Sequence, residues 1–533
     1  MNSLPAIRTS LLALLATTAI AGCARQPAPA TTIAAAATST TSADDHTLPS
    51  GIDWFEGGVD AAFAASRKSG KPVLLYWGAV WCPPCHLLKA TLFSREDFQQ
   101  KAKLFIPVYL DGDEPGAQKW GETFGVTGYP SVVILNGDRT EILRIAGGQD
   151  LTQYTSMLDT ALEDRRPVHE VLGKLARANA QAAAEDCHRI AWQSWSLEDL
   201  DRDARRARGR QLAAAEKACA TSGTPEERER ITVFAAADLG LAGDAASSKL
   251  PAALVAQVGD LLADPTRAMA RADALRSLDE GYFATLRAQD AARAATQLAQ
   301  YLDAMRAGSE STSLPLGDRL NLLYSAVLAS RSMSPDGKPA PAIEQLARAR
   351  VAKAVADPGP ASERSGTLNG ALNVLDALRD NQQAYDITLR EVKTAGAPYY
   401  YMSSLGDYCE AMGRPDEALQ WHARAYEQSR GAATRFQWGG NYLQALLRLA
   451  PGDVKRVQEA GLAVLGELDA PDAIYRRSRI RLAKLDASLR EWVKQDASRA
   501  PTAHALRERV KQTCGRLAPA DPASATCRAF ASG

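Results

Sequence analysis

The sequence predicts two folded parts of different class: an α/β fold over residues 49–165 and a large all-α domain over residues 166–533. Strand and helix patterns alternate in the first part. Beyond residue 165 the strand signals fade, and apolar residues recur at helical spacing. A chain of 533 residues is also too long for one hydrophobic core, so more than one domain is expected.

The elements of the α/β part follow from apolar spacing and from breaking residues. Two buried strands come first, and the turn signal Asn136-Gly137 joins the last two strands into a hairpin. The predicted strands are 72–77, 104–110, 131–135 and 140–145, and the predicted helices are 59–69, 82–93, 94–101, 117–124 and 151–163. The third helix takes its cap from residues 94–97. This order predicts a sheet with helices on both faces.

The most informative motif is Trp81-Cys82-Pro83-Pro84-Cys85-His86, at the junction of the first strand and the second helix. Two cysteines at this spacing can form a small disulfide and exchange it with a partner. The first one stands at a helix N-terminus, where free N–H groups and the helix dipole favour a thiolate. We therefore predict Cys82 as the more exposed nucleophile and Cys85 as the resolving thiol.

Other uses of the cysteine pair stay open at this point. A permanent disulfide is one, and a zinc site is another, although no second Cys-x-x-Cys or paired histidine motif is present. Cys82 to His86 also match the C-x-x-C-H attachment signature of c-type haem. The strand–helix context favours redox chemistry without metal or cofactor, in which a protonated His86 could favour the thiolate.

The two prolines of the motif bear on its redox poise. A proline in the first helical turn costs no helix hydrogen bond. Pro83 and Pro84 nevertheless remove two donors that could have faced the Cys82 thiolate. The sequence therefore predicts a more reducing couple than one with donors at these positions.

A resemblance to the thioredoxin superfamily follows from these features together with Gly125-Val126-Thr127-Gly128-Tyr129-Pro130-Ser131. Residues 71–75 and the motif resemble the C-terminal domain of DsbD interchange proteins, and Cys-Pro-Pro-Cys is similar to tryparedoxins and nucleoredoxins. The resemblance implies a thiol–disulfide oxidoreductase acting on protein cysteines. It also implies a cis bond before Pro130, with the Tyr129 backbone pairing with substrate, and we expect Trp81 to shield the sulfurs.

One position departs from the pattern of the superfamily. Thioredoxins carry a buried aspartate six residues before the first cysteine, and this chain has Tyr76 there. Val80 stands two residues before the cysteine, where an acidic residue is common. The Tyr76 hydroxyl or a water could replace the missing carboxylate in proton transfer, or Tyr76 could simply pack in the core.

The first 22 residues resemble a bacterial lipoprotein signal peptide. Arg8 supplies the positive flank, and the apolar run 10–22 is too short to span a bilayer comfortably. The run ends at Cys23 in a sequence similar to a lipobox, which implies lipidation there; Ala24 favours the outer membrane, facing the periplasm. An ordinary cleaved signal is the alternative. Residues 23–48 are rich in Ala, Thr, Ser and Pro and predict a flexible tether.

Export would place the remaining cysteines in an oxidising compartment. The chain has eight cysteines, and five remain besides Cys23 and the Cys82/Cys85 pair, so not all of them can pair within the chain. Cys514 with Cys527, and Cys187 with Cys219, are possible disulfides, with Cys409 left as a small buried hydrophobe. Sequence alone does not fix this connectivity.

The helical part shows a repeat in one region. Ala384 and Ala418 are separated by the period of a tetratricopeptide (TPR) repeat, and so are Gly406 and Gly440. The region around residues 367–465 therefore resembles TPR repeats, with a non-repetitive helical bundle as the alternative. Helical repeats form concave surfaces, so a protein or peptide partner is possible here, and a non-catalytic lipoprotein scaffold is the alternative function.

Charge limits the partners further. Lys plus Arg and Asp plus Glu both number 62, so there is no global basic field to attract nucleic acid. The expected partners are cysteine-containing client proteins and a redox partner, with the membrane contacted through the lipid alone.

Overall fold

A computed structural model gives the architecture of the chain. It describes residue 48 and residues 51–532, apart from 115, 127, 147–150, 199, 242–248, 279, 471–472, 518–520 and 522. The signal-like segment, Cys23 and nearly all of the predicted tether lie outside these described residues. Within them, no helix combines the length and the apolar character that crossing a bilayer would require.

The N-terminal part contains a four-stranded mixed sheet. Its strands are β1 (Val73–Gly78), β2 (Ile106–Asp111), β3 (Ser131–Leu135) and β4 (Glu141–Ala146), in the order β2-β1-β3-β4. β1 is parallel to β2, and β3 is antiparallel to both β1 and β4. The accompanying helices are α1 (Val59–Ser69), α2 (Pro83–Leu88), α3 (Glu96–Ala102), α4 (Ala117–Thr123) and α5 (Leu151–Glu163).

Both faces of this sheet are covered. Side chains alternate between the faces of a strand. Leu74 and Tyr76 therefore face one layer, which contains residues of α3 and α5, whereas Val73 and Leu75 face the layer of α1. The α/β sheet with helices on both faces is confirmed.

The helix predicted over residues 82–93 is divided. α2 ends at Leu88, and a π-helical turn, Lys89–Phe93, completes the segment. Leu92 and Phe93 in this turn are both fully buried. The predicted cap at residues 94–97 is also displaced, because α3 begins after Arg95 and the Ser94 hydroxyl donates back to the Ala90 carbonyl instead.

The rest of the described chain is helical. The first helices of this part are α6 (Val168–Leu175), α7 (Ala184–Trp192), α8 (Arg202–Ala218), α9 (Pro225–Leu239), α10 (Ala252–Ala263), α11 (Pro265–Ala270), α12 (Ala272–Leu275), α13 (Glu280–Gln289), α14 (Ala291–Gly308), α15 (Leu316–Met333) and α16 (Pro341–Ala356). The remaining helices are α17 (Arg364–Leu378), α18 (Asn381–Glu391), α19 (Pro398–Ala411), α20 (Pro415–Gln428), α21 (Ala432–Leu449), α22 (Val454–Gly466), α23 (Arg476–Gln495), α24 (Ala500–Cys514) and α25 (Ala523–Ser532).

The repeat period of the sequence appears in the helix boundaries. α17, α19 and α21 begin at Arg364, Pro398 and Ala432, so each starts one TPR period after the one before it. α18 and α20, which follow the first two of these helices, are offset by the same period. This spacing agrees with the TPR-like region expected around residues 367–465.

The cysteines of the helical part pair in the way that the sequence allows. One disulfide joins Cys187 in α7 to Cys219 at the end of α8, and another joins Cys514 in α24 to Cys527 in α25. Cys409 is free and buried in α19. The two possible disulfides are therefore confirmed.

The helical part folds back against the α/β part. α17 packs directly on α2, the helix that carries the cysteine pair. Buried side chains of the sheet, such as Leu74, belong to the same hydrophobic core as Leu368 and Leu375 of α17. This packing places the TPR-like helices over the redox motif.

Candidate redox site

The cysteine pair lies at the start of α2. Cys82 is the N-cap residue of the helix and is joined by a disulfide to Cys85, with the two Cα atoms 5.2 Å apart. The backbone N–H of Cys85 donates to Cys82 Sγ over 3.2 Å. Pro83 and Pro84 fill the positions between, so Cys85 supplies the first backbone donor after Cys82.

The loop before β3 faces this disulfide. The Tyr129–Pro130 peptide bond is cis, as the resemblance implies. Tyr129 packs against the cluster of Ala79, Cys82 and Cys85 together with Trp81. Burial raises the pKa of the Tyr129 hydroxyl to about 12, so this side chain is a neutral wall of the site.

Both cysteines are buried. Cys82 is 3% exposed and Cys85 is fully buried. The sequence predicted a more exposed nucleophile, and Cys82 is only marginally the more exposed of the two. The helical domain also covers the helix that carries them, because α17 packs on α2, and the sequence did not place the helical domain at the site.

Helices α17, α19 and α21 build this cover. The indole of Trp81 stacks on Tyr400 of α19, with ring centroids 5.8 Å apart, and meets Trp438 of α21 edge-on at 6.1 Å. Gly366 of α17 lies against Leu87, where a Cβ on the glycine would come within 2.9 Å of the Leu87 Cβ. Trp81 thus packs against the cysteine cluster from beneath a second aromatic layer, and its shielding of the sulfurs stays a prediction.

His86 is held on both sides of its ring. Nε2 lies 2.7 Å from the Val80 carbonyl oxygen, and Nδ1 lies 3.0 Å from Ser365 Oγ of α17. Because a carbonyl only accepts, Nε2 carries a proton in this arrangement. Neither nitrogen is available as a haem ligand here, so the residues do not fit the C-x-x-C-H alternative. The effect of His86 on the thiolate stays a prediction.

Asp113 is a site residue that the sequence did not reveal. It follows β2, and its Oδ2 accepts a hydrogen bond of 2.9 Å from Trp81 Nε1. Its other oxygen accepts from the hydroxyl of Thr434 in α21. Burial, together with repulsion from Asp111, raises the pKa of this carboxyl to about 7 against the opposing effect of the hydrogen bonds.

The position of Asp113 just after a strand is a sequence signal that could have identified it. β1 and β2 are adjacent parallel strands, and the residues after the carboxyl ends of such strands meet at one edge of the sheet. The motif follows β1, and Asp113 follows β2 at the same edge.

Tyr76 does not supply the missing carboxylate function. Its ring is fully buried, stacked on Tyr109 at 5.3 Å and edge-on to Phe93 at 4.8 Å. Among the described residues its hydroxyl has no hydrogen-bond partner. Burial raises the pKa of Tyr76 strongly, with a smaller contribution from Asp111. These contacts identify Tyr76 as a core aromatic.

One cluster away from the disulfide has the composition of a metal site. The ligand atoms of Glu141, His169 and Glu198 lie within 4.8 Å of one another. However, Arg144 binds Glu141 at 2.7 Å and Arg208 binds Glu198 at 2.8 Å. Because these arginines already compensate both carboxylates, a cation would have to displace them, and the cluster is an ion-pair network.

A disulfide at the N-terminus of a helix, after the first strand of a mixed sheet and opposite a cis-proline, defines a thioredoxin-fold redox protein. Residues 59–162 match the thioredoxin-like domain family. The chain belongs to this family through its N-terminal part, and its similarity to known oxidoreductases supports a redox role in general.

Two relatives illustrate the similarity. Tryparedoxin of Trypanosoma brucei brucei is 30% identical over 96 residues, which cover 14% of this chain and 67% of tryparedoxin. The thiol:disulfide interchange protein DsbD 1 of Pseudomonas aeruginosa is 29% identical over 107 residues, or 19% of this chain. The match spans only 18% of the length of DsbD 1, and both matches leave most of this chain uncovered.

Proposed function

We propose that this chain is a thiol–disulfide oxidoreductase acting on the cysteines of client proteins, with Cys82 attacking and Cys85 resolving. The observation that carries the proposal is the Cys82–Cys85 disulfide at the N-terminus of α2, packed against the cis Tyr129–Pro130 loop. A sulfur at such a helix end can leave and return as a thiolate, because the helix dipole favours negative charge there.

The exchange runs in two balanced steps. In the reduced protein the Cys82 thiolate attacks a client disulfide, forms a mixed disulfide, and releases the other client sulfur as a thiolate. Cys85 then loses its proton, attacks the Cys82 sulfur and releases the second client thiolate. Two electrons pass to the client and the Cys82–Cys85 bond is restored; the reverse sequence oxidises a client.

The proposed location is the periplasm, with a lipid on Cys23 holding the chain to the outer membrane. The lipobox-like sequence supports it. The disulfides Cys187–Cys219 and Cys514–Cys527 are also typical of an oxidising compartment. A second protein must then return the cysteine pair to its working redox state after each turnover.

Trapping tests the proposed exchange. A Cys85→Ser variant lacks the resolving thiol, so it should accumulate clients as mixed disulfides on Cys82 that reductant releases. The matched control is the Cys82→Ser, Cys85→Ser double variant, which should trap nothing. Equal recovery from the trap and the control, or no recovery from either, would refute exchange on protein clients.

A specific observation favours a second candidate, a non-catalytic scaffold. Both cysteines are buried under the helical domain, as expected of a vestigial or structural disulfide. Alkylation of the reduced protein across pH separates the two functions. An enzyme should show a Cys82 pKa well below the value of about 8.5 for a free thiol, whereas a scaffold should show an unperturbed or unreactive cysteine.

A further inference from the structure

A cavity of about 170 Å³ lies beside the cis-proline loop, between α4 and α23. Its walls include Gln118, Glu122, Val126, Tyr475, Arg477 and Ile480. Gln118 Nε2 donates to the Tyr129 hydroxyl over 2.9 Å, and the Arg477 guanidinium carbon lies 5.0 Å from the centroid of the Tyr129 ring. Tyr129 therefore connects this cavity to the disulfide against which it packs.

One residue of the cavity wall, Arg477, interacts with a second arginine of α23, Arg481, which lies next to the wall rather than in it. Arg477 and Arg481 stand one helical turn apart, and among the described residues neither has a carboxylate within ion-pair distance. Their side-chain partners are amides, with Gln437 Oε1 3.3 Å from Arg477 and Asn441 Oδ1 3.3 Å from Arg481. Burial and the repulsion of Arg477 lower the pKa of the Arg481 guanidinium to about 10.

The carboxylates nearby compensate this pair only in part. Glu122 lines the cavity, but Arg479 binds both of its oxygens, at 2.6 and 3.0 Å. Asp113 lies close enough for Arg477 to favour its charged form, yet its oxygens accept from Trp81 and Thr434. Neither arginine forms an ion pair among the described residues, so part of their positive charge is left for a group that enters from outside.

Without a bound anion, the arrangement of Arg477 and Arg481 lowers the stability of the folded protein. Like charges at positions i and i+4 of a helix repel each other, and a half-buried charge without a counter-charge is destabilising. A guanidinium is also the side chain best suited to bind a carboxylate through two parallel hydrogen bonds. An incoming carboxylate would relieve the repulsion and gain these bonds.

We propose that Arg477 and Arg481 form an anion-binding subsite that selects client segments with a carboxylate near the reactive cysteine. This proposal rests on the proposed exchange function. The substrate class would be an extended, acidic protein or peptide segment. Tyr129 packs against the cysteine cluster, and Arg477 lies over the Tyr129 ring, so one side chain separates the subsite from the sulfurs. In an extended client segment, an acidic side chain a short distance along the chain from the reacting cysteine would occupy the subsite.

Two isosteric probes test the subsite. They are the disulfide-linked dimers of the blocked peptides Glu-Glu-Cys-Glu-Glu and Gln-Gln-Cys-Gln-Gln, each mixed with the reduced full-length protein. Each peptide dimer takes two electrons from Cys82 and Cys85 and leaves as two thiols, and tryptophan fluorescence follows the reaction. We expect the glutamate dimer to react about tenfold faster, as a charge-assisted hydrogen bond allows, and the advantage to shrink at high salt.

Variants assign this preference to the two arginines. The Arg477→Gln, Arg481→Gln variant should bring the ratio of the two rates close to one, and the charge-conserving Arg477→Lys, Arg481→Lys variant should retain much of it. The matched control is Lys484→Gln, which removes a positive charge from an exposed position of the same helix and should leave the ratio as in the wild type. An unaltered ratio in the glutamine double variant would overturn the subsite.

A binding measurement separates this inference from the exchange function. Peptides with serine in place of cysteine cannot exchange, so their affinity for the oxidised protein reports the subsite alone. Tighter binding of the glutamate serine peptide, lost in the glutamine double variant, supports the subsite even if no peptide disulfide reacts. Equal affinities of the two serine peptides would overturn it even if exchange is fast.

Discussion

The buried carboxylate beside the redox centre occupies a different sequence position from the one that the superfamily pattern predicts. The strand position that holds aspartate in thioredoxins is occupied by Tyr76, whose hydroxyl has no partner among the described residues. Asp113, in the loop after β2, instead contacts the indole of Trp81 and through it borders the disulfide. The two residues lead to different expectations on mutation, because only Asp113 should make stability depend on pH.

Tyr76→Phe should be tolerated. Removing a buried hydroxyl that makes no hydrogen bond removes a desolvation cost, so the free energy of unfolding should stay equal or rise by about 1 kcal/mol. Equilibrium urea unfolding checks this, with Tyr76→Ala as the comparison that creates a cavity and should lose roughly 3–5 kcal/mol. A loss above about 1 kcal/mol in Tyr76→Phe would show that the hydroxyl has a partner after all.

Asp113 should make stability depend on pH. Its pKa rises on folding from 3.8 to about 7, chiefly through burial, so the folded state holds the proton more tightly than the unfolded state. Stability from this group is therefore complete below pH 4 and is lost as pH rises through 7. Relative to Asp113→Asn, which stays neutral, the wild type should lose on the order of 2–4 kcal/mol between pH 4 and pH 8.

The measurement for Asp113 is urea unfolding of both proteins at several pH values with all disulfides intact. Below pH 4 the two proteins should differ least, because Asp113 is then protonated in both the folded and the unfolded state. A difference in unfolding free energy that is the same at pH 5 and pH 8 would contradict the raised pKa.

At the scale of elements, α2 of the α/β part and α17 of the helical part pack directly on each other. Gly366 is buried there, and its backbone allows α17 to lie directly on Leu87. His86 and Ser365 join the same two helices by a hydrogen bond. Contact at this crossing fixes the orientation of the helix that carries both cysteines.

Gly366→Ala should loosen this crossing. The added methyl would lie 2.9 Å from the Leu87 Cβ, so the helices must separate, at a cost of about 1–3 kcal/mol in unfolding free energy. Gly173→Ala in α6 is the matched control, since a Cβ there has nothing within 4 Å. It should stabilise the protein by about 0.5–1 kcal/mol through helix propensity. Equal effects of the two alanines in thermal unfolding would show that α17 has room to adjust.

The individual elements were largely predictable because their signals are local. The predicted α5, 151–163, has the bounds observed, and the hairpin of β3 and β4 lies at the Asn136-Gly137 turn. The cover of the redox site could not be predicted in this way. His86 and Ser365 are 279 residues apart, and Asp113 and Thr434 are 321 apart. In the sequence, no local signal distinguishes Tyr400 and Trp438 from other aromatic residues of the helical part.

On the scale of the whole molecule, the described residues form one compact unit rather than a redox domain with a separate appendage. The sheet and the first TPR-like helices share a core, and α21 and α23 reach the far side of the site through Thr434 and Arg479. If the proposed exchange acts on protein clients, a client meets the TPR-like helices before it meets the sulfurs. The helical part would then have to move or to guide the client.

Trp438→Ala should make the Cys82–Cys85 disulfide easier to reduce. The variant removes the α21 ring that covers Trp81. Deletion of a buried tryptophan costs about 3–5 kcal/mol of packing free energy. This exceeds the roughly 1.4 kcal/mol that corresponds to a factor of ten in an equilibrium constant. If reduction requires the cover to open, dithiothreitol should reduce the variant at least about tenfold faster than the wild type, measured by quenched alkylation of Cys82.

Trp492→Ala serves as the control for this experiment, because Trp492 is 1% exposed in the core of the C-terminal helices, away from the redox site. It should lower global stability without uncovering the disulfide, so reduction at Cys82 should keep the wild-type rate. Acceleration by both variants would mean that reduction proceeds through global unfolding, and acceleration by neither would mean that the sulfurs react without displacement of α21. Acceleration by Trp438→Ala alone would establish the helical domain as a movable cover of the redox site.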